Sequence, residues 1–291
     1  MLDAVGMGAL NLDRLSYPAK KTRVCQHECP GGSAANTIAW LADAGYKTGI
    51  IGAVGNDREG RIILEDFNKR HVDTTQIQTI KGHSGLATGS VDSRGERVLS
   101  HQSGVNDRLT LSLKSIEYAF DTKLLHFTSF ISDRQLRLQE KLASILPVGV
   151  ILSFSPGEIY AAKGVDRLKT LIEKSRILFL NREEIEQLTG TGYKKGCIKL
   201  AKTGVQQTAV TLGPKGCYIH AQGKGMQIPC KKIRPKDTTG AGDAFAAGYL
   251  TGLLEEKTPR ECGRMGNQYA GKCIRHKGAR QTAKPLPLCR I

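Results

Sequence analysis

The most constraining feature of this chain is a rhythm. From Ser112 onward, short apolar runs alternate with helical patterns. Leu124–Thr128, Gly149–Phe154 and Ile177–Leu180 read as buried strands, with Arg134–Leu146 and Ala161–Lys174 as the helices between them. Neighbouring parallel strands need a long crossover, which a helix supplies. A βαβα order therefore predicts a mostly parallel sheet covered on both faces. Gln207–Leu212 and Cys217–Ala221 read as further strands, joined by the turn Gly213-Pro214-Lys215-Gly216. Two helices, Gly240–Leu254 and Pro259–His276, end the pattern.

The first hundred residues are less regular. Ala4–Leu10 reads as a strand, followed by an irregular segment to Pro30. Gly31-Gly32 opens a helix over Ser33–Ala44, and Gly45 stands where a helix commonly ends. Lys47–Val54 reads as a strand and Arg58–Arg70 as a helix. Gln76–Ile80, Gly85–Val91 and Arg97–His101 alternate in polarity, and Ser93-Arg94-Gly95 is a turn signal. These three runs predict a small antiparallel sheet. No repeat, low-complexity tract or long linker interrupts the chain. One α/β domain over residues 1–291, with a strand-rich insertion, is the expectation.

Several function classes drop out. No run of about 18 apolar residues exists, and the N-terminus lacks a basic, then apolar, leader, so a cytoplasmic protein is expected. The eight cysteines form no C-x-x-C pair and are expected as reduced thiols; Cys25-x-His27-x-Cys29 is the one local cluster with metal-ligand residue types. Lys and Arg number 43 against 27 Asp and Glu, a formal charge of +16. The basic residues are scattered and aromatics make up 5% of the chain, so stacking platforms are scarce and a nucleic-acid partner is not expected. A basic surface also suits an enzyme that handles phosphates. Neither Gly223-Lys224 nor Gly271-Lys272 is followed by Ser or Thr, so no P-loop is present.

Three segments carry chemistry. In Asp237-Thr238-Thr239-Gly240-Ala241-Gly242-Asp243, two glycines let a backbone approach a ligand just before an apolar helix. The first amides of that helix are unpaired and favour an anion. Asp243 in the first turn would stand beside that anion, where a carboxylate can take a proton from an attacking hydroxyl; the alternative is a capping acid after a turn. In Pro30-Gly31-Gly32-Ser33-Ala34-Ala35-Asn36, small side chains leave room over a helix start, and Asn36 offers donor and acceptor; close helix–sheet packing is the alternative. Asn11-x-Asp13 follows the first strand, at the sheet end where open α/β folds bind ligands. An amide and a carboxylate suit vicinal sugar hydroxyls; an ordinary polar loop is the other reading.

Together these segments resemble the ribokinase/PfkB-type family of sugar and nucleoside kinases, over nearly the whole chain. Asn181-Arg182-Glu183-Glu184 matches the family's N-x-x-E, Thr211–Gly216 resembles its T-x-G-x-x-G nucleotide loop, and Asn267 falls where the family contacts adenine. The resemblance implies a three-layer αβα sandwich with a β lid from about Asp13–Cys29 and Gln76–His101. The lid is short, with 17 residues between Asp13 and Gly31. It further implies transfer of the ATP γ-phosphoryl to a hydroxymethyl oxygen, with Asp243 as base and the amides of Gly240, Ala241, Gly242 and Asp243 stabilising the phosphoryl. Asn11, Asp13, Gly31, Gly32 and Asn36 would grip the acceptor. Asn181, Thr211, Gly213, Gly216 and Asn267 would bind nucleotide, and Glu184 would act on Mg²⁺ through water. Carbonyls of Asp237 and Thr239, with others near Arg275–Gly278, would ligate a monovalent cation such as K⁺. The acceptor is a sugar, or alternatively a nucleoside such as adenosine, cytidine or inosine. A sugar phosphate would want Arg14, Arg97 or Arg108, and a nucleobase would want Phe127, Phe130 or Phe154. A non-catalytic ligand-binding member, and a monomer or a homodimer, are the remaining options.

Overall fold

The computed structural model describes residues 1–18, 24–91 and 97–280. Its strands are β1 (Leu2–Met7), β2 (Asn11–Pro18), β3 (Val24–Gly31), β4 (Thr48–Gly55), β5 (Asp73–Ile80), β6 (Gly85–Val91), β7 (Arg97–Gln102), β8 (Thr122–Thr128), β9 (Ile151–Ser155), β10 (Ile177–Asn181), β11 (Gln207–Thr211), β12 (Cys217–Ala221) and β13 (Lys224–Ile228). The helices are α1 (Ser33–Asp43), α2 (Arg58–Lys69), α3 (Leu113–Phe120), α4 (Asp133–Ser144), α5 (Gly157–Ala161), α6 (Gly164–Arg167), α7 (Lys169–Lys174), α8 (Arg182–Thr189), α9 (Tyr193–Ala201), α10 (Ala241–Leu254) and α11 (Pro259–Cys273).

Nine strands form one sheet in the order β13-β12-β11-β10-β9-β8-β1-β4-β5. All neighbours are parallel except the β11-β12-β13 edge. Two apolar cores lie on opposite faces. One packs α1, α2, α10 and α11 through Trp40, Phe67, Tyr249 and Tyr269. The other packs α4, α7, α8 and α9 through Leu136, Leu171, Ile185 and Leu200. This is the three-layer sandwich expected from the βαβα rhythm. The chain builds outward from β1 to β4 and β5, then returns to place β8 on the other side of β1. Loops leaving β1 and β8 therefore diverge, which opens a crevice at the carboxyl ends of these strands.

A second sheet, β3-β2-β6-β7, stands apart as the lid. The segment read as irregular before Pro30 is thus two paired strands, as the family resemblance implied. Two lid expectations change. Gln76–Ile80 belongs to β5, which lies parallel to β4 at the edge of the main sheet. Its alternation comes from an edge strand with one half-exposed face. The lid is also mixed and not purely antiparallel, because β2 and β6 run parallel. The turn at Ser93-Arg94-Gly95 falls outside the described residues.

The single helix expected over Ala161–Lys174 is three short pieces. Gly164, at φ 78°, starts the second of them in a conformation that no helix interior adopts. The Lys224–Ile228 strand was not anticipated. The last helix ends at Cys273, three residues earlier than its pattern suggested. Cys29, Cys197, Cys217, Cys230, Cys262 and Cys273 are free thiols. The side chains of Cys25, His27 and Arg97 lie outside those described.

Candidate active site

Two helix starts converge at the crevice. Helix α1 begins after Gly32 at φ 96°, and α10 begins after Gly240 at φ 73°; neither has a side-chain cap. Both glycines are doubly required. A Cβ on Gly32 would lie 2.1 Å from the Ala9 carbonyl oxygen, and one on Gly240 would lie 2.3 Å from the Ala279 Cβ. At the start of α10, the Ala241 amide donates to the Thr238 carbonyl and the Ala244 amide to Gly240. The amides of Gly242 and Asp243 have no acceptor among the described residues, so they are left for an anion. A Cβ on Gly242 would meet no atom within 4 Å, which leaves a cradle against the backbone.

Asp243 is where the helix starts meet. Ser33 Oγ donates to its Oδ1 at 2.6 Å, and Asn36 Nδ2 donates to its Oδ2 at 2.7 Å. Burial raises its carboxyl above the usual range, opposed by those two hydrogen bonds and by the Arg280 charge. The Asp13 carboxylate packs on Gly31, where a Cβ would come within 2.2 Å of Oδ1. Burial raises Asp13 to about 7, with Arg280 pulling down and Asp243 pushing up. Asn11 is held by a residue that the sequence reading missed: buried Asn106 donates to its Oδ1 at 3.1 Å and hydrogen-bonds both backbone groups of Leu10. Packing and hydrogen bonds thus bring Asn11, Asp13, Gly31, Gly32, Asn36 and Asp243 together from β2, β3, α1 and α10.

A cleft of about 100 Å³ opens beside Asp243, lined among others by Ser33, Asn181, Glu184, Thr211, Gly242 and Phe179. Asn181 and Glu184 form a capping box at the start of α8: Asn181 Oδ1 accepts the Glu184 amide at 2.7 Å, and Glu184 Oε2 accepts the Asn181 amide at 2.8 Å. N-x-x-E is therefore a helix cap as well as a cleft wall. Burial raises Glu184 to about 7, with Asp243 and two glutamates adding to the rise. A divalent cation would relieve this carboxyl. No group of three or more His, Cys, Asp or Glu that could hold a metal occurs among the described residues. The single Glu184 carboxylate beside Asp243 at the cleft fits Mg²⁺, a hard ion that keeps its waters and binds through one or two carboxylates and phosphate oxygens.

Thr211 ends β11 at the cleft, and Gly213 and Gly216 close the next turn through hydrogen bonds around Leu212. Asn267 Nδ2 donates to the Ile228 carbonyl at 3.1 Å, tying α11 to β13. The Asp237 carboxylate accepts from the Thr239 amide and hydroxyl and from the Gly278 amide, which joins the two loops expected to share a cation. Other candidates go elsewhere. Phe127, Phe130 and Phe154 are fully buried core; the aromatic rings at the cleft are Phe179 and Phe245. Arg14 is paired with Glu28 and Glu59, and Arg108 donates to the Lys81 carbonyl.

An α/β sandwich with a β lid and a helix-borne carboxylate beside two open amides is the architecture of a phosphotransferase with an alcohol acceptor. The sequence pattern of the pfkB family carbohydrate kinases matches residues 4–285, and the chain belongs to that family. An uncharacterized sugar kinase of Archaeoglobus fulgidus is 37% identical over 83% of this chain and 96% of its own. A cytidine kinase of Thermococcus kodakarensis is 28% identical over 96% of this chain and 98% of its own. The ribokinase of Arabidopsis thaliana, solved with ribose and ATP, superposes with a TM-score of 0.84 at 25% identity, covering 96% of this chain and 94% of that one. Among the described residues no helix is long and apolar enough to cross a membrane.

Proposed function

We propose that this carbohydrate kinase transfers the ATP γ-phosphoryl to a hydroxymethyl oxygen of an uncharged sugar. The observation that carries the reading is Asp243, oriented by two donors at the start of α10, between the open amides and the acceptor wall. Asp243 takes the hydroxyl proton as the oxygen attacks the γ-phosphorus. The bond to the bridging oxygen breaks and ADP leaves. The amides of Gly242 and Asp243 offset the charge spread over the phosphoryl oxygens, and a general base contributes about 10²–10⁴-fold. Glu184 would hold Mg²⁺, which when bound would supply positive charge to the nucleotide phosphates. The carbonyls of Asp237 and Thr239 would hold K⁺.

An uncharged acceptor is supported by Arg14, the basic residue next to Asp13, which is already engaged by Glu28 and Glu59, two glutamates it shares with Arg58. A nucleoside acceptor is the second reading, favoured by the matching length of the cytidine kinase. ADP release with Mg-ATP across ribose, fructose, sugar phosphates, adenosine, cytidine and inosine, with and without K⁺, separates these readings. Asp243→Asn serves as the control. Turnover lost in that variant supports the assignment, while turnover at the native rate overturns it. Silence on every acceptor favours a non-catalytic member.

A further inference from the structure

Arg280 lies far outside the motifs above, yet it reaches the centre of the site. Its side chain is 5% exposed. Nε donates to Asn36 Oδ1 at 2.9 Å, one terminal nitrogen donates to the Gly31 carbonyl at 3.1 Å, and the other is paired with Asp66. The guanidinium sits over the Phe67 ring, 5.3 Å from its centroid. Asp66 in turn accepts from Arg70, so the anchor is itself held. The two residues before Arg280 are pinned as well: the Gly278 amide donates to Asp237, and the Ala279 carbonyl accepts from Trp40 Nε1.

The chemistry of the guanidinium makes this arrangement directional. Arginine only donates, whereas an asparagine amide can point either way. With Nε–H facing it, Asn36 must turn its oxygen to Arg280, which leaves its NH₂ for Asp243. A flipped amide would set donor against donor at Arg280 and oxygen against carboxylate at Asp243. The same guanidinium fixes the Gly31 carbonyl, and Gly31 is the surface on which Asp13 is seated.

We propose that Arg280 is a positioning residue for phosphoryl transfer, setting the Asn36 amide and through it the Asp243 carboxylate, while it fixes the Gly31 turn beneath Asp13. The inference rests on the reading of Asp243 as the base. Arg280 touches neither reacting group, so its effect passes through Asn36 and Gly31. It also supplies the positive charge nearest to two buried carboxyls. The charged and titratable groups around it are Asp66 on α2, Arg70 just after its end, Asp13 on β2, Cys29 on β3, Asp43 at the end of α1 and Asp243 on α10. Its charge holds Asp13 and Asp243 down, so removing it raises both and moves the acid limb of activity to higher pH.

Arg280→Gln and Arg280→Lys test this beside Asp243→Asn. Asp66 keeps Arg70 in either variant, so its own carboxylate is not stranded. Arg280→Gln is expected to lower kcat/KM for the acceptor by about 10²-fold, the usual cost of a misplaced reacting group, with KM for ATP within about two-fold of native. Its acid limb shifts upward. Arg280→Lys keeps the charge but not the planar fork. It should return the acid limb to its native position while kcat/KM for the acceptor stays depressed. An acid limb and acceptor kcat/KM that stay native in Arg280→Gln overturn the proposal. Losses shared equally by acceptor and ATP, with an unmoved acid limb and a lower melting temperature, mark a purely structural residue and overturn it too. If Asp243→Asn keeps native turnover, the base assignment falls first and the inference falls with it. If Arg280→Gln does not fold, the Lys variant decides: native acceptor kcat/KM overturns the proposal and a selective loss supports it.

Discussion

Gly242→Ala separates the fold from the chemistry. Gly242 is the second residue of α10, and its φ is not positive. A methyl there meets no atom within 4 Å, so the fold has no reason to resist it. Alanine is the better helix former, worth up to about 1 kcal/mol in a helix interior and roughly half that near an end. For a chain of this size that raises the melting temperature by about 1–2 °C. The same methyl would occupy a cleft of about 100 Å³, against the amides left for the phosphoryl. Loss of one such donor typically costs about 10²–10³-fold in kcat. The expected result is a slightly more stable protein with at least about 10²-fold lower turnover. Thermal unfolding by circular dichroism and ADP release on the preferred acceptor read the two effects. A variant with native turnover would refute the amide cradle, and one with a sharply lower melting temperature would refute the open space.

Gly240→Ala, two residues earlier, should do the opposite to stability. It combines a left-handed φ with a Cβ 2.3 Å from the Ala279 Cβ, and chemical denaturation should show a loss of about 2–4 kcal/mol. Asn106→Ala strands both backbone groups of Leu10 and frees Asn11. It should cost about 2–4 kcal/mol in denaturation and raise the acceptor KM with KM for ATP unchanged; an unmoved acceptor KM rejects the link. Asp13 has a folded pKa of about 7, above its unfolded value, so the folded state binds its proton more tightly. Its contribution to stability is present below about pH 4 and lost as pH rises through about 7. Asp13→Asn should therefore melt near native at pH 4.5 and above native at pH 8, and a variant less stable than native at pH 8 contradicts this. The proposed roles need Asp13 and Asp243 ionised; burial raises both, Asp13 to about 7, so native activity should fall as pH drops below that value, read as kcat/KM for the acceptor against pH.

Local patterns wrote down much of this protein. The βαβα order announces the parallel sheet because each crossover helix leaves its own period in the chain. The Gly240–Asp243 segment is legible because an anion site at a helix start is built from consecutive residues. The same holds for Gly31–Asn36, although Ser33, inside that motif, was passed over as one more small residue.

What the sequence could not decide is pairing at a distance. Gln76–Ile80 alternates equally well as a lid strand or as the edge of the main sheet, and only its hydrogen bonds to β4 choose. The lid strands before Pro30 carry too little apolar pattern to announce themselves, and pairing with each other and with β6 makes them strands. Asn106 reaches Asn11 across 95 positions, and Arg280 reaches Asn36 across 244. A buried guanidinium is tolerable only where the fold brings acceptors to it from several elements at once. By itself the sequence determined the layers, and it marked Gly240–Asp243 as the candidate anion site with Asp243 as its proposed base. Only the tertiary structure decided which side chains aim that base, because orientation belongs to contacts between elements that no local pattern encodes.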